Sequence, residues 1–281
     1  MSTPILTANQ YGKARVRVAR VERGETMHRF IDRTVRVALR GDFTAAHVNG
    51  DNAHVIATDT MKNTVHALTE GARDGESVEA FLVRLHDYFG TKASYIDGVL
   101  VEAAEQGYRH IDVAGEAHPY AFEQLRERRT AMLDGMPGAR ELRGGIEELS
   151  ILKTTDSWFK DFPRDEYTLL PETDDRVMAT VVTGSWRFTR EDADFEAAWR
   201  VIRAALMETF ATHRSPSVQA TLYEMAVAAL AACADIDEVA LALPNRHYIP
   251  LDLTAIGGTK GAVLLPVDEP HGLIEATVAR G

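Results

Sequence analysis

Two kinds of hydrophobic periodicity alternate along the chain, and their order constrains the fold more than any other feature. In the first half and near the middle, apolar residues alternate with polar or basic ones in four stretches, which predict half-buried strands: Arg15–Val18, Val35–Val37, Tyr95–Ala103 and Leu149–Ile151. Between the second and third stretch, apolar side chains recur every three or four positions, which predicts two amphipathic helices. Thr58 or Asp59 is placed to cap the first of them.

The second half repeats this order. Met178, Val182, Trp186 and Phe188 share one parity, which predicts a long strand with one buried face. Two helical stripes follow, and four short alternating segments close the chain: Val239–Leu243, Ile249–Leu253, Val263–Val267 and Ile274–Val278. The stretch from Ala121 to Leu133 is ambiguous, because its composition also suits a helix.

Long antiparallel strands with helices on one face predict an α+β fold built from two similar halves. We place the domains at residues 1–148 and 149–281, although the sequences of the halves are not visibly related. The boundary carries no linker rich in Pro, Gly or Ser, so we expect the halves to share a sheet. The polar face of such a sheet needs a second layer, which oligomerisation would supply.

Composition excludes several classes of protein. The chain has 281 residues, 45% of them hydrophobic and 26% charged, as expected for a globular protein with a large core. A formal net charge of −11 argues against general binding to nucleic acid or to an anionic membrane. Cys233 is the only cysteine, so there is no intramolecular disulfide or Cys-rich metal site. Residues 1–11 lack the features of a signal peptide, and the cytoplasm is the expected compartment.

Two segments could hold a ligand but have plainer interpretations. The sequence has no Gly-x-Gly-x-x-Gly after a strand and no Walker-type loop, and the glycine-rich segment 257–261 lies between predicted strands, as a hairpin loop does. His110, Asp112, Glu116 and His118 are metal-ligand types, but their spacing matches no established zinc or iron site. Structural roles are the favoured interpretation of this group.

Six short strings carry more specific information when they are taken together and in order. They are Gln10-Tyr11-Gly12-Lys13, the run from Ala57 to Thr64 (ATDTMKNT), Phe162 to Thr168 (FPRDEYT), Ser217 to Thr221 (SVQAT), Leu243 to Tyr248 (LPNRHY), and Gly272 to Glu275 (GLIE). With these strings the chain resembles the urate oxidase (uricase) family over nearly its whole length, from about Asn9 to Arg280.

The resemblance implies two tandem T-fold (tunnelling fold) domains, with antiparallel sheets and helices on their outer face. In that family four subunits form a homotetramer with an oligomeric β-barrel, and the sites lie at subunit interfaces. The family oxidises urate with O2 and water to 5-hydroxyisourate and hydrogen peroxide, in purine degradation, without any metal or organic cofactor. The alternative is a T-fold protein that binds a purine or pterin without turnover or with another specificity.

The site residues follow from the matching strings and, for Phe159 and Arg176, from alignment with the family between the strings. The resemblance implies that Lys13, Thr58 and His247 are the catalytic proton-relay residues, and that Thr58 and Asp59 contact the substrate from the subunit across the interface. It also implies that Phe159 stacks on the purine, that Arg176 and Gln219 clamp its edge beside the Val218 backbone, and that Asn245 lies over the O2 or water position. No metal ligand is implied.

These residue types suit urate, which is flat, anionic and rich in hydrogen-bonding groups. A guanidinium can bind its edge in bidentate fashion, an amide offers both a donor and an acceptor, and an aromatic ring stacks on its face. Lys13 can be a base only in its neutral form, which burial or cationic neighbours favour. Taken singly, each of these residues would more simply be a surface charge, a cap, a turn residue or part of the core.

The sequence departs from the family around the stacking ring. Trp158, Lys160 and Asp161 flank Phe159, where the family has small uncharged residues, so Trp158 is a second candidate for that ring. Arg246 stands where the family has lysine. The first departure puts the shape of the pocket in question.

Overall fold

The computed structural model describes residues 4–281, and Met1–Thr3, the start of the segment in which we find no signal peptide, lie outside the described residues. The chain divides into two compact units. The first runs to Gly145 and includes Arg187–Glu196, and the second comprises Ile146–Trp186 and Ala197–Gly281. The division at residues 148 and 149 stays a prediction.

The first unit consists of a meander of long antiparallel strands with helices packed on it. The elements are β1 (Tyr11–Arg23), β2 (His28–Gly41), α1 (Thr44–Asn49), α2 (Thr58–Glu70), α3 (Val78–Gly90), β3 (Ile96–Val113), β4 (Glu116–Met136) and the start of β5 (Ala139–Lys153). The strands are ordered β1-β2-β3-β4, and α2 packs against β1 while α3 packs against β3 and β4.

The core of the first unit follows the two predicted periodicities. Every second residue of β2 at Val35, Val37 and Leu39 is buried, and the helical stripe of α3 from Leu82 to Phe89 is buried as well. Two of the predicted strands, Arg15–Val18 and Val35–Val37, lie within β1 and β2.

The second unit has the same kinds of element. They are β6 (Met178–Phe188), α4 (Phe195–Thr212), α5 (Val218–Ala232), β7 (Ile236–Ala242), β8 (Asn245–Asp252), β9 (Lys260–Gly272) and β10 (Glu275–Ala279). The strands lie in the sheet in the order β5-β6-β7-β10, with β8 paired to β6 and β9. The buried face of β6 carries Val182 and Trp186, as the shared parity predicts, and α5 packs on β7 and β10. The α+β class is confirmed.

Of three local predictions, one ambiguous stretch is decided, one loop is confirmed and one helix cap is wrong. The ambiguous stretch Ala121–Leu133 is strand, because it pairs with β3 through partners such as Ala131 opposite Ala103. The glycine-rich segment 257–261 joins β8 to β9 after a single 3-10 turn, as predicted for a hairpin loop, and Gly257 takes φ +82°. The proposed cap of α2 is wrong: Ala57 is the N-cap, and no side chain caps the helix.

None of the helices within residues 4–281 is long and apolar enough to span a membrane.

Candidate functional site

A β-bulge determines where the Lys13 side chain points. Lys13 lies opposite Val37 and Val16 lies opposite Val35, so β1 contains one extra residue between them, and Arg15 there has φ +57°. Residues directly opposite each other share a face of the sheet, so Lys13 projects on the same face as the fully buried Val37. A regular strand would place Lys13 and Val16 on opposite faces. The bulge therefore turns Lys13 towards the helix-covered side.

Thr58 and Asp59 begin α2 in the same unit as Lys13. The segment before the helix is held to β1, because the Ile56 N–H donates to the Tyr11 hydroxyl at 2.8 Å. The Tyr11 ring in turn packs edge-on against Phe43, with 4.7 Å between centroids. Thr58 is half-buried, and within residues 4–281 its hydroxyl is not used as a cap. That hydroxyl is therefore free to bond to another group.

The charge of Lys13 reaches Asp59. A hydrogen bond from Lys62 is the largest of the effects that hold the pKa of Asp59 below its ordinary value, and the Lys13 ammonium makes a smaller contribution of the same sign. Asn63 donates to the same carboxylate at 2.9 Å. The first unit thus brings together Lys13, Thr58 and Asp59.

Phe159 and Arg176 face each other across a short irregular hairpin in the second unit. Phe159 exchanges two backbone hydrogen bonds of 3.1 Å with Thr173, and the Arg176 N–H donates to the Ser157 carbonyl at 2.8 Å. The Arg176 guanidinium carbon lies 5.5 Å from the Phe159 ring centroid. Phe162 stacks on the Phe159 ring at 4.9 Å and 11°, so it supports one side of that ring.

Arg176 is a half-buried cation without a counter-ion. Its Nε atom is buried and has no hydrogen-bond partner, and no carboxylate within residues 4–281 forms an ion pair with it. Burial alone lowers the pKa of Arg176, although a guanidinium stays protonated in proteins. An unpaired buried charge is costly unless a ligand compensates it. Arg176 is therefore set to receive an anionic, hydrogen-bonding group.

Val218 and Gln219 lie in the first turn of α5, in the same unit as Arg176. Ser217 caps the helix, its hydroxyl accepting from the Ala220 N–H at 3.1 Å. Val218 is buried and Gln219 is exposed. Helix N-termini present free N–H groups and favour negative charge.

The segment around Phe159 and the segment that leads into α5 are joined by backbone hydrogen bonds. The Trp158 N–H donates to the Ser215 carbonyl, and the Ser215 N–H donates to the Asp156 carbonyl, both at 2.9 Å. Phe159 and Arg176 therefore belong to one hydrogen-bonded cluster with the segment that leads into Val218 and Gln219. Trp158, the second candidate for the stacking ring, lies instead beside Arg214, whose guanidinium carbon is 5.7 Å from the ring.

Asn245 and His247 occupy alternate positions at the start of β8. Asn245 lies opposite Gly272 and His247 lies opposite Val267, with a register irregularity between them. Arg246, the residue between, lies opposite Ala179 of β6, close in sequence to Arg176. Its guanidinium is 3.6 Å from the Asp268 carboxylate. Both Asn245 and His247 are half-buried.

The histidine-rich segment has local contacts of its own. The distance from His110 Nδ1 to the His118 carbonyl oxygen is 2.7 Å, and the His110 ring packs against Phe122. His110 belongs to β3, whereas His118 and Phe122 belong to β4. Among residues 4–281 no three His, Cys, Asp or Glu side chains are placed to hold a metal ion. The contacts favour a structural role for this hairpin.

Some residues that shape the site were not singled out from the sequence. Phe162 behind Phe159 and the Tyr11 hydroxyl both lie inside the matching strings, but nothing in a string says what a side chain contacts. The buried hydroxyls of Ser215 and Thr221 follow no pattern that a sequence displays, because the hydrogen bond between them forms only in the folded structure.

Fold and side chains together define an α+β protein with a half-buried arginine beside an aromatic ring in one unit, and Lys13, Thr58 and Asp59 in the other. Comparison with known proteins narrows this class. The uricase family model matches residues 9–132 and 142–275. The chain is 42% identical to a uricase of Arthrobacter globiformis over 279 residues, 98% of this chain and 90% of that protein.

Two further comparisons agree. A uricase of Dictyostelium discoideum is 37% identical over 280 residues, covering 98% of this chain and 97% of the relative. The crystal structure of uricase from Arthrobacter globiformis superposes with a TM-score of 0.93 at 40% identity, covering 99% and 96% of the two chains. The chain belongs to the uricase family.

Proposed function

We propose that this protein is a urate oxidase that converts urate, O2 and water to 5-hydroxyisourate and hydrogen peroxide. The observation that carries the proposal is Arg176, a half-buried guanidinium that lies beside an aromatic ring and has no counter-ion among residues 4–281. Family membership supports it, since the relatives are named uricases. We propose no metal or organic cofactor.

Substrate binding follows from the cluster in the second unit. Urate is flat and anionic, so its ring stacks on Phe159 while the Arg176 fork binds its edge in bidentate fashion. Gln219 supplies a donor and an acceptor to the amide-like edge, and the Val218 N–H at the start of α5 adds a donor. The overall charge of −11 repels an anion, so the attraction is local to Arg176 and Lys13.

Proton transfer falls to Lys13, Thr58 and His247. Neutral Lys13 accepts a proton from urate through the Thr58 hydroxyl, and His247 orients this relay and exchanges a proton in turn. The electron-rich dianion gives two electrons to O2 held at Asn245. The oxygen of water then bonds to C5 of the oxidised ring, which yields 5-hydroxyisourate and releases one proton. That proton and the proton that Lys13 took from urate convert the reduced O2 to hydrogen peroxide.

The direct test uses protein stripped of metal by a chelator. Urate is added in air, and the loss of its ultraviolet absorbance is followed together with hydrogen peroxide. We expect stoichiometric conversion that added metal does not accelerate. Tight binding of urate without turnover would instead identify a binding protein, and no binding at all would contradict the proposed substrate.

We further propose that the protein is a homotetramer whose sites are shared between subunits. Lys13, Thr58 and Asp59 of one subunit would serve Phe159, Arg176, Gln219 and Asn245 of another. The exposed polar face of a long antiparallel sheet supports assembly into a β-barrel. The cytoplasm is the proposed compartment.

Complementation between inactive subunits tests the shared site. Lys13→Met removes the residue that one subunit supplies to a site, and Arg176→Gln removes the residue that the other subunit supplies. When the two variants mix at random in coexpressed tetramers, about a quarter of the sites receive both an intact Lys13 and an intact Arg176. We expect coexpression to restore roughly that fraction of the wild-type rate. The same variants purified separately and mixed without subunit exchange are the control. Coexpressed oligomers that stay inactive would show that each site is built within one subunit.

Tyr11→Phe tests how Lys13 and Thr58 are kept in register. The substitution removes the acceptor of the Ile56 N–H but keeps the ring against Phe43. We expect kcat to fall about fivefold, since small misplacements of catalytic groups are costly, with KM little changed. Tyr88→Phe, which removes an exposed hydroxyl of the same unit that bonds Lys92 at 3.1 Å, is the matched control. Equal rates for both variants would exclude this role of Tyr11.

A further inference from the structure

A network centred on the buried hydroxyl groups of Ser215 and Thr221 lies in the second unit, which also carries the substrate-binding cluster. Both residues have 0% exposure. Ser157 is equally buried, but it joins the network through its backbone, and its hydroxyl has no hydrogen-bond partner within residues 4–281. Ser215 forms a parallel bridge with Ser157, whose carbonyl accepts the Arg176 N–H at 2.8 Å. The position of Arg176 is thus tied to Ser215 through backbone hydrogen bonds.

The side-chain hydrogen bonds form a chain with one direction. The Ser217 carbonyl can only accept, so the Ser215 hydroxyl donates to it at 3.0 Å. The Ser215 oxygen then accepts from the Thr221 hydroxyl at 2.8 Å, a shorter contact than the 3.3 Å from Thr221 to Ser217. Because the only proton of Thr221 is used in this way, its oxygen accepts from His213 Nδ1 at 3.0 Å. This assignment of donors and acceptors along the chain of hydrogen bonds places a proton on Nδ1 of His213.

This chain ends at the cap of α5. The Ser217 carbonyl accepts the hydrogen bond from the Ser215 hydroxyl, and the Ser217 hydroxyl caps the helix by accepting from the Ala220 N–H. The next two residues are Val218 and Gln219, which the proposed function places against urate. A displacement of Ser217 would therefore move the Gln219 edge of the clamp relative to Arg176.

We propose that His213, Thr221 and Ser215 are positioning residues that hold the first turn of α5 in register with Arg176. The inference rests on the proposed function for its kinetic consequence. Its structural content stands on the hydrogen bonds alone: a fully buried hydroxyl is costly unless it is paired, so each member depends on the next.

Thr221→Val is the test, because it keeps the shape and removes only the hydroxyl. We expect KM for urate to rise about tenfold, the scale of one lost buried hydrogen bond, with kcat within about threefold of wild type. Amide hydrogen exchange of the ligand-free protein should quicken about tenfold at residues 217–220 and 157–159 and not elsewhere. Thr221→Ser should restore both. His213→Asn, which keeps a donor near the Nδ1 position, should be milder than His213→Leu.

Thr69→Val is the matched control, since Thr69 is another buried helical threonine whose hydroxyl bonds to the carbonyl four residues earlier, at 2.8 Å. Unchanged exchange and KM in Thr221→Val would overturn the inference. Equal, global acceleration of exchange in both variants would overturn it too, because the hydroxyl would then be stabilising only. If the wild type does not oxidise urate, the proposed function fails while hydrogen exchange still decides the positioning role.

Discussion

Replacing Lys13 by methionine is expected to slow urate oxidation at least about 100-fold while leaving the binding of urate analogues nearly unchanged. The reason is that general-base catalysis contributes roughly 10²–10⁴-fold, and methionine occupies similar space without a basic nitrogen. Lys13 belongs to the first unit, whereas the stacking and clamping residues of the cluster around Arg176 belong to the second. Steady-state kcat and the dissociation constant of xanthine, which lacks the C8 oxygen, are the measurements.

Two further variants separate the base from the charge. Lys13→Arg keeps a cation beside Asp59 but cannot become neutral, so it should remain as slow as Lys13→Met. Lys92→Met, which removes a lysine that packs on Tyr88 in the same unit, should keep the full rate. A fast Lys13→Met enzyme would mean that the base is elsewhere, and a fast Lys13→Arg enzyme would mean that positive charge alone is needed.

Replacing Arg176 by glutamine is expected to raise KM for urate by about 100-fold or more. A charge-assisted bidentate pair in a desolvated site is worth about 2–5 kcal/mol, and 1.4 kcal/mol corresponds to a factor of ten. Arg176→Lys should not rescue binding, because an ammonium cannot reproduce the planar fork.

The Tm of the Arg176→Gln variant provides a second test of the role of Arg176. Since the guanidinium has no counter-ion among the described residues, its loss should not lower Tm of the ligand-free protein and is expected to raise it. Xanthine should raise Tm of the wild type and not that of the variant. Arg214→Gln is the matched control, because Arg214 packs on Trp158 as Arg176 packs on Phe159. A marked fall in Tm on losing Arg176 would show that the arginine is structural.

The sequence alone was enough for the α+β class, for most of the strands and helices, and for the family. Apolar periodicity depends on which face of an element is buried, so Met178–Phe188 and the helical stripes could be predicted from residues close together in the chain. The matching strings supplied the candidates from Lys13 to His247 except Phe159 and Arg176, which lie outside the strings and came from alignment with the family.

Only the tertiary structure decided how those residues are presented. The bulge after Lys13, the strand at Ala121–Leu133 and the bond from Ile56 to Tyr11 all arise from pairing between distant segments. Whether Arg176 has a counter-ion, and which hydroxyl donates to which around Ser215, are likewise properties of neighbours in space. Local patterns report burial and propensity, whereas direction, pairing and charge compensation depend on long-range contacts that no single segment contains.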